Sequence, residues 1–239
     1  MIIHNSFRLS LLGAFFLVAA VVSTAAQSSL FNIPTTDVLE RGLSYVEADF
    51  DAHFSRIRSD RWQSVGFMAV RGVGKRVEIG VNGYLIRSGP SFEPFELQPN
   101  LKFNVYSNES TGVSVSAGAI GYLPLKRRFR DTASVSIYAI ASKQFSGDRS
   151  PRLTGGVYQI VGATPDSSAS RGFLVGIEQP VMKKLSFIAD WNTGKNRFGY
   201  AAAGFGLAVS KKGYLSSAYY FGNQGRGNNF LGIYYGLTF

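Results

Sequence analysis

The feature that most constrains the fold of this chain is a recurring alternation of apolar and polar residues. It is complete between residues 46 and 54, where the apolar positions are Val46, Ala48, Phe50, Ala52 and Phe54 and the polar ones are Glu47, Asp49, Asp51 and His53. Because successive side chains of a β-strand point to opposite faces, this pattern predicts a strand with one apolar and one polar face. The same separation recurs over residues 77–85 and 97–106.

Further segments of this kind follow along the chain, separated by turn signals rich in Gly, Asn and Ser. We predict about twelve strands, most of them near the length that a tilted strand needs to cross a bilayer. Their ranges are 46–54, 63–72, 77–85, 97–106, 112–122, 132–142, 153–162, 172–179, 184–192, 197–209, 213–222 and 228–239. Segments 63–72 and 153–162 alternate poorly, and 201–208 has small residues on both faces.

Lipid offers no hydrogen-bond partner to an open sheet edge, so a sheet in a membrane must close on itself. The predicted fold is therefore all-β, a closed antiparallel transmembrane β-barrel of about twelve strands, with ten or fourteen as alternatives. A soluble barrel that holds an apolar ligand is the rival interpretation. It would reverse the two faces, with apolar residues inside and charged residues outside.

The last strand carries a second signal. Leu231, Ile233, Tyr235, Leu237 and Phe239 share one face, and the chain ends on an aromatic residue. This ending resembles the closing strand and assembly signal of bacterial outer-membrane β-barrels. The resemblance implies a location in the bacterial outer membrane, contact with outer-membrane lipid, and recognition of this strand by the barrel assembly machinery.

The first residues of the chain agree with secretion. An apolar run over residues 9–22 follows Arg8 and precedes the small residues 23–26. A short apolar core with this flank is typical of a secretory signal peptide, and it is too short for a helical membrane span. We predict a signal peptide at residues 1–26 and the barrel at residues 42–239. Residues 27–41 are either a periplasmic segment or a plug in the lumen, and the sequence leaves both open.

The polar faces of the predicted strands would line a lumen that is wide enough for a narrow pore. The predicted lining residues are Glu47, Asp49, Asp51, His53, Arg76, Glu78, Asn82, Asn100, Lys102, Asn104, Glu178 and Asp190. Same-face residues of a strand lie about 6.6 Å apart, too far for the first three carboxylates to share one metal ion without distorting the backbone. We therefore predict no metal site and no cofactor.

The predicted function is porin-like passage of ions or small polar solutes. One alternative is a plugged barrel that binds surface polysaccharide or stiffens the envelope. The other is a lipid-modifying enzyme using His53, the only histidine after the predicted signal peptide. We predict no enzyme, because no hydrolase elbow, phosphate loop or zinc-binding helix occurs and His53 lies on the face predicted to point away from lipid. The absence of cysteine excludes thiolate catalysis and disulfides.

The formal net charge of +10 does not by itself indicate a nucleic-acid partner. The basic residues cluster in connections between predicted strands, and the aromatic residues alternate toward the membrane face rather than forming a stacking platform. Lys126, Arg127, Arg128 and Arg130 form the densest group, in a connection predicted to face outward. We predict that they contact phosphates of the outer leaflet, since Arg and Lys bind phosphate oxygens well. The sequence does not indicate an oligomeric state.

Overall fold

The computed structural model of the protein describes residues 28–57, 61–88, 91–92, 95–126, 132–147, 149–162 and 169–239, so the predicted signal peptide lies outside the described residues. In the described part of the chain, no helix is long and apolar enough to cross a bilayer. The β-strands there are β1 Ser44–His53, β2 Trp62–Gly72, β3 Val77–Ser88, β4 Ser91–Phe92, β5 Glu96–Asn108, β6 Val113–Pro124, β7 Ser134–Gln144, β8 Arg152–Gly162, β9 Arg171–Met182, β10 Leu185–Asn192, β11 Tyr200–Ala208, β12 Gly213–Gly222 and β13 Phe230–Thr238.

Every pairing between these strands is antiparallel, and the sheet closes into a barrel through the pairing of β1 with β13. The strand β4 contains two residues and pairs with the end of β3, on the same side of β3 as β5. The wall therefore has twelve strands, with β4 as a short extension. The predicted closed antiparallel barrel of twelve strands is confirmed.

The two ends of the barrel differ. Both Ser44 at the start of β1 and Phe239 at the end of the chain lie at one end, where their backbones are hydrogen-bonded to each other. The short turns 73–76, 109–112, 183–184 and 209–212 lie at that same end, where β7 also ends and β8 begins. The strand ends that flank the connections β1–β2, β6–β7, β8–β9, β10–β11 and β12–β13, each seven residues or more, lie at the opposite end. In bacterial barrels short turns face the periplasm and longer loops face outward, so we call the second end the outer end.

The apolar side chains of the strands point away from the barrel axis. Phe50, Phe103 and Ile233 are 40%, 44% and 42% exposed, whereas the lumen-facing Asp49 and Lys102 are 6% and 3% exposed. The faces are thus oriented as a membrane barrel requires, and the soluble barrel with reversed faces is excluded. An exterior this rich in large apolar side chains needs a lipid environment, because soluble proteins rarely expose such patches.

The predicted assembly signal forms the outer face of β13. Ile233, Tyr235, Leu237 and Phe239 are exposed on the lipid side, and Leu231 is half-buried on the same face. The backbone of β13 is paired with β12 on one edge and β1 on the other, so this strand closes the barrel. Its recognition by the assembly machinery stays a prediction.

One strand departs from the simple alternation. In β5 a bulge between Asn104 and Tyr106 shifts the register toward β6. Because the bulge adds one residue, Tyr106 turns to the outside, where it is exposed, although the alternation predicts it on the lumen face. The positions before the bulge, including Lys102 and Asn104, keep the predicted inward direction.

The lipid face allows a direct test by charge insertion. Val157 lies in the middle of β8, is 51% exposed, and pairs with Ala139 and Phe173. We expect Val157→Arg to lower the free energy of unfolding by about 2–4 kcal/mol, because a charge near the bilayer midplane loses its hydration. Urea unfolding in lipid vesicles measures this cost. The matched control is Val161→Arg on the same face near the outer end, where about 0–1 kcal/mol is expected; equal costs at both sites would contradict the membrane position.

Candidate functional site

The lumen contains a cavity of about 980 Å³, which we call the vestibule. It extends from outer-end residues such as Ser88 and Thr132 to Val70 and Glu78, near the periplasmic ends of β2 and β3, and residues 28–34 line one side of it. Its wall includes the β1 carboxylates and several aromatic rings: Glu47, Asp49, Asp51, Trp62, Tyr84, Tyr122, Phe198, Tyr200, Tyr220, Phe230 and Tyr234. The volume is of the size that proteins use to bind small molecules.

Residues 28–37, which we call the plug segment, lie inside the barrel. Residues 28–35 fold into a narrow loop, in which Leu30 N–H donates to the Ile33 carbonyl at 2.8 Å and Thr35 N–H to the Ser28 carbonyl at 3.1 Å. These contacts place the described residues 28–37 of the 27–41 region inside the lumen, and whether they act as a plug stays a prediction. The chain leaves the lumen near Gly42, whose φ of 92° is accessible mainly to glycine.

The tip of the plug segment is bound by Asp190 of β10. One carboxylate oxygen of Asp190 accepts the backbone N–H groups of residues 31, 32 and 33 at 2.7, 2.7 and 3.3 Å, and the other accepts the Asn32 amide at 3.0 Å. Consecutive N–H groups that converge on one anion form a nest, which stabilises a buried carboxylate. Asp190 therefore acts as an anchor for the plug segment.

A second anchor lies across the lumen, on β3 and β5. Glu78 and Lys102 form an ion pair at 3.0 Å in which each side chain is 3% exposed. Glu78 also accepts the hydroxyl of Ser28 at 2.5 Å and the N–H of Leu39 at 3.0 Å, and Lys102 donates to the Ser28 carbonyl at 2.9 Å. The pair therefore holds both the beginning of the plug segment and the chain just after it.

The last residues of the plug segment bind the wall nearer the periplasmic end. Arg152 of β8 forms an ion pair with Asp37 and donates to the Thr36 hydroxyl at 2.6 Å. The Thr36 hydroxyl lies 2.6 Å from that of Ser142 on β7. The Thr36 carbonyl accepts hydrogen bonds from Asn104 at 3.1 Å and from Ser116 at 2.5 Å. The plug segment is thus held on several sides of the barrel.

Apolar contacts also hold the plug segment inside the lumen. Leu30 and Ile33 of the plug segment are buried in a cluster with inward-facing residues of β7 to β10, namely Tyr138, Ile140, Tyr158, Ile160, Leu174 and Ile188. This cluster removes apolar surface from water inside a lumen that is otherwise polar, which favours the closed arrangement. The described residues 28–37 therefore occupy part of the lumen and are packed against its wall.

Most of the residues predicted to line the lumen do point inward. Glu47, Asp49, His53, Glu78, Lys102, Asn104 and Asp190 are buried, and Asp51, Asn82, Asn100 and Glu178 are half-buried on the inward face. They do not form one site. The β1 carboxylates, Asn82 and Asn100 line the vestibule, Glu78 and Lys102 lie where it meets the plug segment, Asp190 and Asn104 bind the plug segment, and Glu178 lies opposite Arg152 on the neighbouring strand.

The placement of Arg76 in the lumen is wrong. Arg76 lies in the turn before β3, is exposed, and donates from its guanidinium to the Val105 carbonyl at 3.2 Å. The alternation of β3 does point position 76 inward, but the strand begins only at Val77. A long basic side chain outside the strand turns to water and to a free carbonyl instead.

His53 lies inside the barrel rather than on its lipid face. Its Nδ1 is hydrogen-bonded to the carbonyl of Asn229, and its ring stacks on Trp62 with the centroids 6.2 Å apart. None of the hydrogen bonds among the described residues joins it to a serine. The described residues also bring together no group of three or more His, Asp or Glu side chains able to hold a metal ion.

The predicted phosphate contacts are described only in part. Lys126 follows β6 at the outer end and is exposed, whereas Arg127, Arg128 and Arg130 lie outside the described residues. Their contact with outer-leaflet phosphates stays a prediction.

Two sets of residues in the lumen were not predicted from the sequence. The first is Arg152 and Ser142, whose partners are in the plug segment. The second is an aromatic cluster in the vestibule wall, in which Tyr220 stacks on Phe230 with centroids 4.0 Å apart and Trp62 lies 5.1 Å from Phe230. The signal that would have found Tyr234, beside this cluster, is its position between Gly232 and Gly236 on the inward face of the last strand.

No protein-family model matches the chain, and no curated protein matches it. Among solved structures, outer membrane phospholipase A from Escherichia coli is similar at 13% identity, over 88% of this chain and 96% of that one, with a TM-score of 0.49. The Acinetobacter baumannii outer membrane protein Omp33 is similar at 11% identity, over 85% and 100%, with a TM-score of 0.42. The Ralstonia pickettii toluene transporter TbuX is similar at 11% identity, over 84% and 89%, with a TM-score of 0.42.

The class of the protein follows from its own architecture. The backbone hydrogen bonds close into a barrel of twelve antiparallel strands, the exterior is apolar and the interior is charged. This combination satisfies the backbone in lipid and defines a bacterial outer-membrane β-barrel protein, which is therefore in contact with lipid. Within that class, it is a barrel whose lumen contains the vestibule and, beside it, the plug segment.

Proposed function

We propose that the protein is a gated uptake barrel, in which small solutes enter the vestibule from outside and pass only when the plug segment moves. The observation that carries this proposal is that the vestibule reaches the outer end while residues 28–34 of the same chain lie inside the lumen and line it. The porin-like function predicted from the sequence is thereby refined, because a continuously open pore would need the space that the plug segment occupies.

The way in which the plug segment is attached suits a gate. Side-chain hydrogen bonds and ion pairs to Asp190, Glu78 and Arg152 hold it, rather than a continuous backbone ladder. Each such hydrogen bond to a charged group contributes about 1.5–3 kcal/mol net, because water replaces the lost partner when the bond opens. The wall keeps all of its strand pairings when the plug segment moves, so the gate can open without unfolding the barrel.

The two alternative functions have less support. A lipid hydrolase would need its histidine beside a nucleophile at the lipid face, whereas His53 is bonded to a carbonyl inside the barrel. A barrel that only stiffens the envelope has no need of a vestibule of about 980 Å³ with a wall of carboxylates and aromatic rings. Transport uses that cavity, and it is therefore the function that we propose.

A disulfide lock tests the gate. The hydroxyls of Thr36 in the plug segment and Ser142 in the wall are 2.6 Å apart, so Thr36→Cys with Ser142→Cys places two thiols within bonding reach in a chain that has no cysteine of its own. Channel openings in potassium chloride are recorded in a planar bilayer. We expect brief openings in the wild type and the reduced variant, and a loss of nearly all openings when the variant is oxidised.

The two single-cysteine variants are the controls, and they should open like the wild type under both oxidising and reducing conditions. Heat-modifiable migration on a gel shows that each variant is a folded barrel. Openings that continue unchanged through the oxidised lock would contradict the proposal. So would a reduced, folded protein that never opens at any applied voltage.

A further inference from the structure

The inward face of β1 carries three carboxylates in a row, Glu47, Asp49 and Asp51, and all three line the vestibule. The ion pairs among the described residues involve other acids: Lys102 with Glu78, Arg152 with Asp37, and Arg197 with Glu96. None of the described basic side chains lies within ion-pair distance of the β1 row. Negative charge in a confined lumen without a basic partner attracts cations from solution.

Tyrosine hydroxyls hold these carboxylates in place. Tyr84 of β3 donates to one oxygen of Asp49 at 2.8 Å, and Tyr234 of β13 donates to Asp51 at 2.8 Å. The hydroxyl of Tyr220 lies 2.6 Å from that of Tyr234, so a chain of hydroxyls leads to Asp51. A neutral donor orients a carboxylate without cancelling its charge, and the row therefore keeps its capacity to bind a positive group.

Asp49 provides a second, independent sign of a ligand. Its side chain lines the vestibule and is 6% exposed, and its Oδ1 atom receives no hydrogen bond from a neutral or basic donor among the described residues, the neighbouring carboxyl of Glu47 aside. A buried carboxylate oxygen without a donor is costly, because it has lost its water and gained nothing in exchange. A bound group that donates hydrogen bonds at this position would remove the cost.

The aromatic cluster near the row defines the chemistry further. Tyr220 stacks on Phe230, and Trp62 packs against Phe230 in the same wall of the vestibule. Aromatic faces attract ammonium groups and also cover the apolar part of a ligand. A hydrated metal ion gains little from such a wall, and the described residues offer no group of carboxylates and histidines at metal-binding distances.

We propose that the vestibule binds small organic cations of the alkylammonium type, with Asp49 and Asp51 as the residues that contact the ammonium groups. Successive carboxylates on the row lie about 6.6 Å apart along the strand, so a linear diamine can reach two of them at once. This inference rests on the proposed function and names its substrate class. The ammonium would donate to the open oxygen of Asp49 while the alkyl chain packs against the aromatic cluster.

The chain contains its own reporter for this binding. It has two tryptophans, of which Trp62 lines the vestibule and Trp191 is exposed on the outer surface, where it donates to Asn223. In a Trp191→Phe background, the fluorescence of the detergent-solubilised protein reports Trp62 alone. We expect saturable changes with 1,4-diaminobutane and at least tenfold weaker binding of 1,4-butanediol, which has the same chain length without charge.

The double variant Asp49→Asn with Asp51→Asn keeps the shape of both side chains and removes two charges. We expect it to bind 1,4-diaminobutane at least about tenfold more weakly, because charge-assisted hydrogen bonds are replaced by neutral ones. The matched control is Glu40→Gln with Glu109→Gln, which removes two exposed charges near the periplasmic end and should leave the affinity unchanged. Heat-modifiable migration confirms that each variant is folded.

The proposal is overturned if the diol binds as well as the diamine, or if the Asn variant keeps the affinity of the control. A tight response to calcium chloride in place of the diamine would also overturn it, since the site would then be a metal site. Failure here is distinguishable from failure of the proposed function. If the protein binds the diamine but its channel never opens, the cation site is supported and the gate is not. If oxidation of the disulfide lock stops the openings but the diamine does not bind, the gate is supported and the cation site is not.

Discussion

Deletion of residues 28–37 is expected to convert a barrel that is closed most of the time into one that conducts ions almost continuously. The deleted residues lie in the lumen and line the vestibule, while the wall is closed by backbone pairing that does not involve them. Their removal therefore connects the vestibule to the periplasmic end through an interior lined by Glu78, Lys102 and Arg152. Single-channel recording in potassium chloride measures the fraction of time that the channel is open.

A second variant tests the gate in the full-length chain, so that the test does not depend on the folding of the shortened one. Asp190→Asn combined with Asp37→Asn keeps the full chain and weakens two anchors of the plug segment. We expect frequent but short openings, because the Glu78 and Lys102 anchor and the apolar contacts of Leu30 and Ile33 remain. A folded deletion variant that stays closed would show that something other than the plug segment blocks the lumen, and it would contradict the gate.

The sequence predicts the wall well, for a physical reason. A strand between lipid and a wet lumen must alternate, so its pattern directly encodes its two environments. Phe50 and Asp49 on β1, or Phe103 and Lys102 on β5, have the predicted directions because neighbouring residues of a strand cannot share a face. The turns between strands and the aromatic chain end are equally local signals, and the closed topology follows from them.

The segments that alternate poorly are those whose inward side chains pack in apolar clusters inside the lumen. In residues 63–72 the inward Met68 and Val70 pack against Leu39 and Tyr45. In residues 153–162 the inward Tyr158 and Ile160 belong to the cluster that buries Leu30 and Ile33. At these positions both faces are apolar, one toward lipid and the other toward buried apolar residues of the lumen such as Leu39 and Leu30. A weak alternation in an otherwise regular barrel is thus itself a sign of a filled interior.

The candidate site is less predictable because its partners are far apart in the sequence. Asp190 binds a loop that lies 157 to 159 residues earlier, and Arg152 binds Asp37 across 115 residues. Residues 28–37 have no periodic pattern, so nothing in their own sequence chooses between a free segment and a plug. The position inside the barrel is favoured by charged wall residues such as Asp190 and Arg152, whose hydrogen-bond partners belong to the plug segment.

The Glu78 and Lys102 pair provides the second large effect. Both side chains are 3% exposed and their charged atoms are 3.0 Å apart, so each neutralises the other in a region with little water. We expect Lys102→Met to lower the free energy of unfolding by about 3–5 kcal/mol, because Glu78 is left as an uncompensated buried charge. Urea unfolding in lipid vesicles measures the change, after a gel shows that the variant folds.

The double variant Lys102→Met with Glu78→Gln separates the pair from a general loss of packing. Removing both charges leaves none uncompensated, so the double variant should recover much of the stability that either single variant loses. The matched control is the rim pair of Arg197 and Glu96, which is 2.7 Å apart but has side chains that are 41% and 16% exposed. There, Glu96→Gln, which leaves the packing of Arg197 on Tyr122 and Phe198 in place, should cost only about 0–1 kcal/mol, because water and salt screen a pair at the surface. Additive losses at Glu78 and Lys102, or equal losses for the two pairs, would mean that the buried pair is solvated and does not hold the plug segment through its charge.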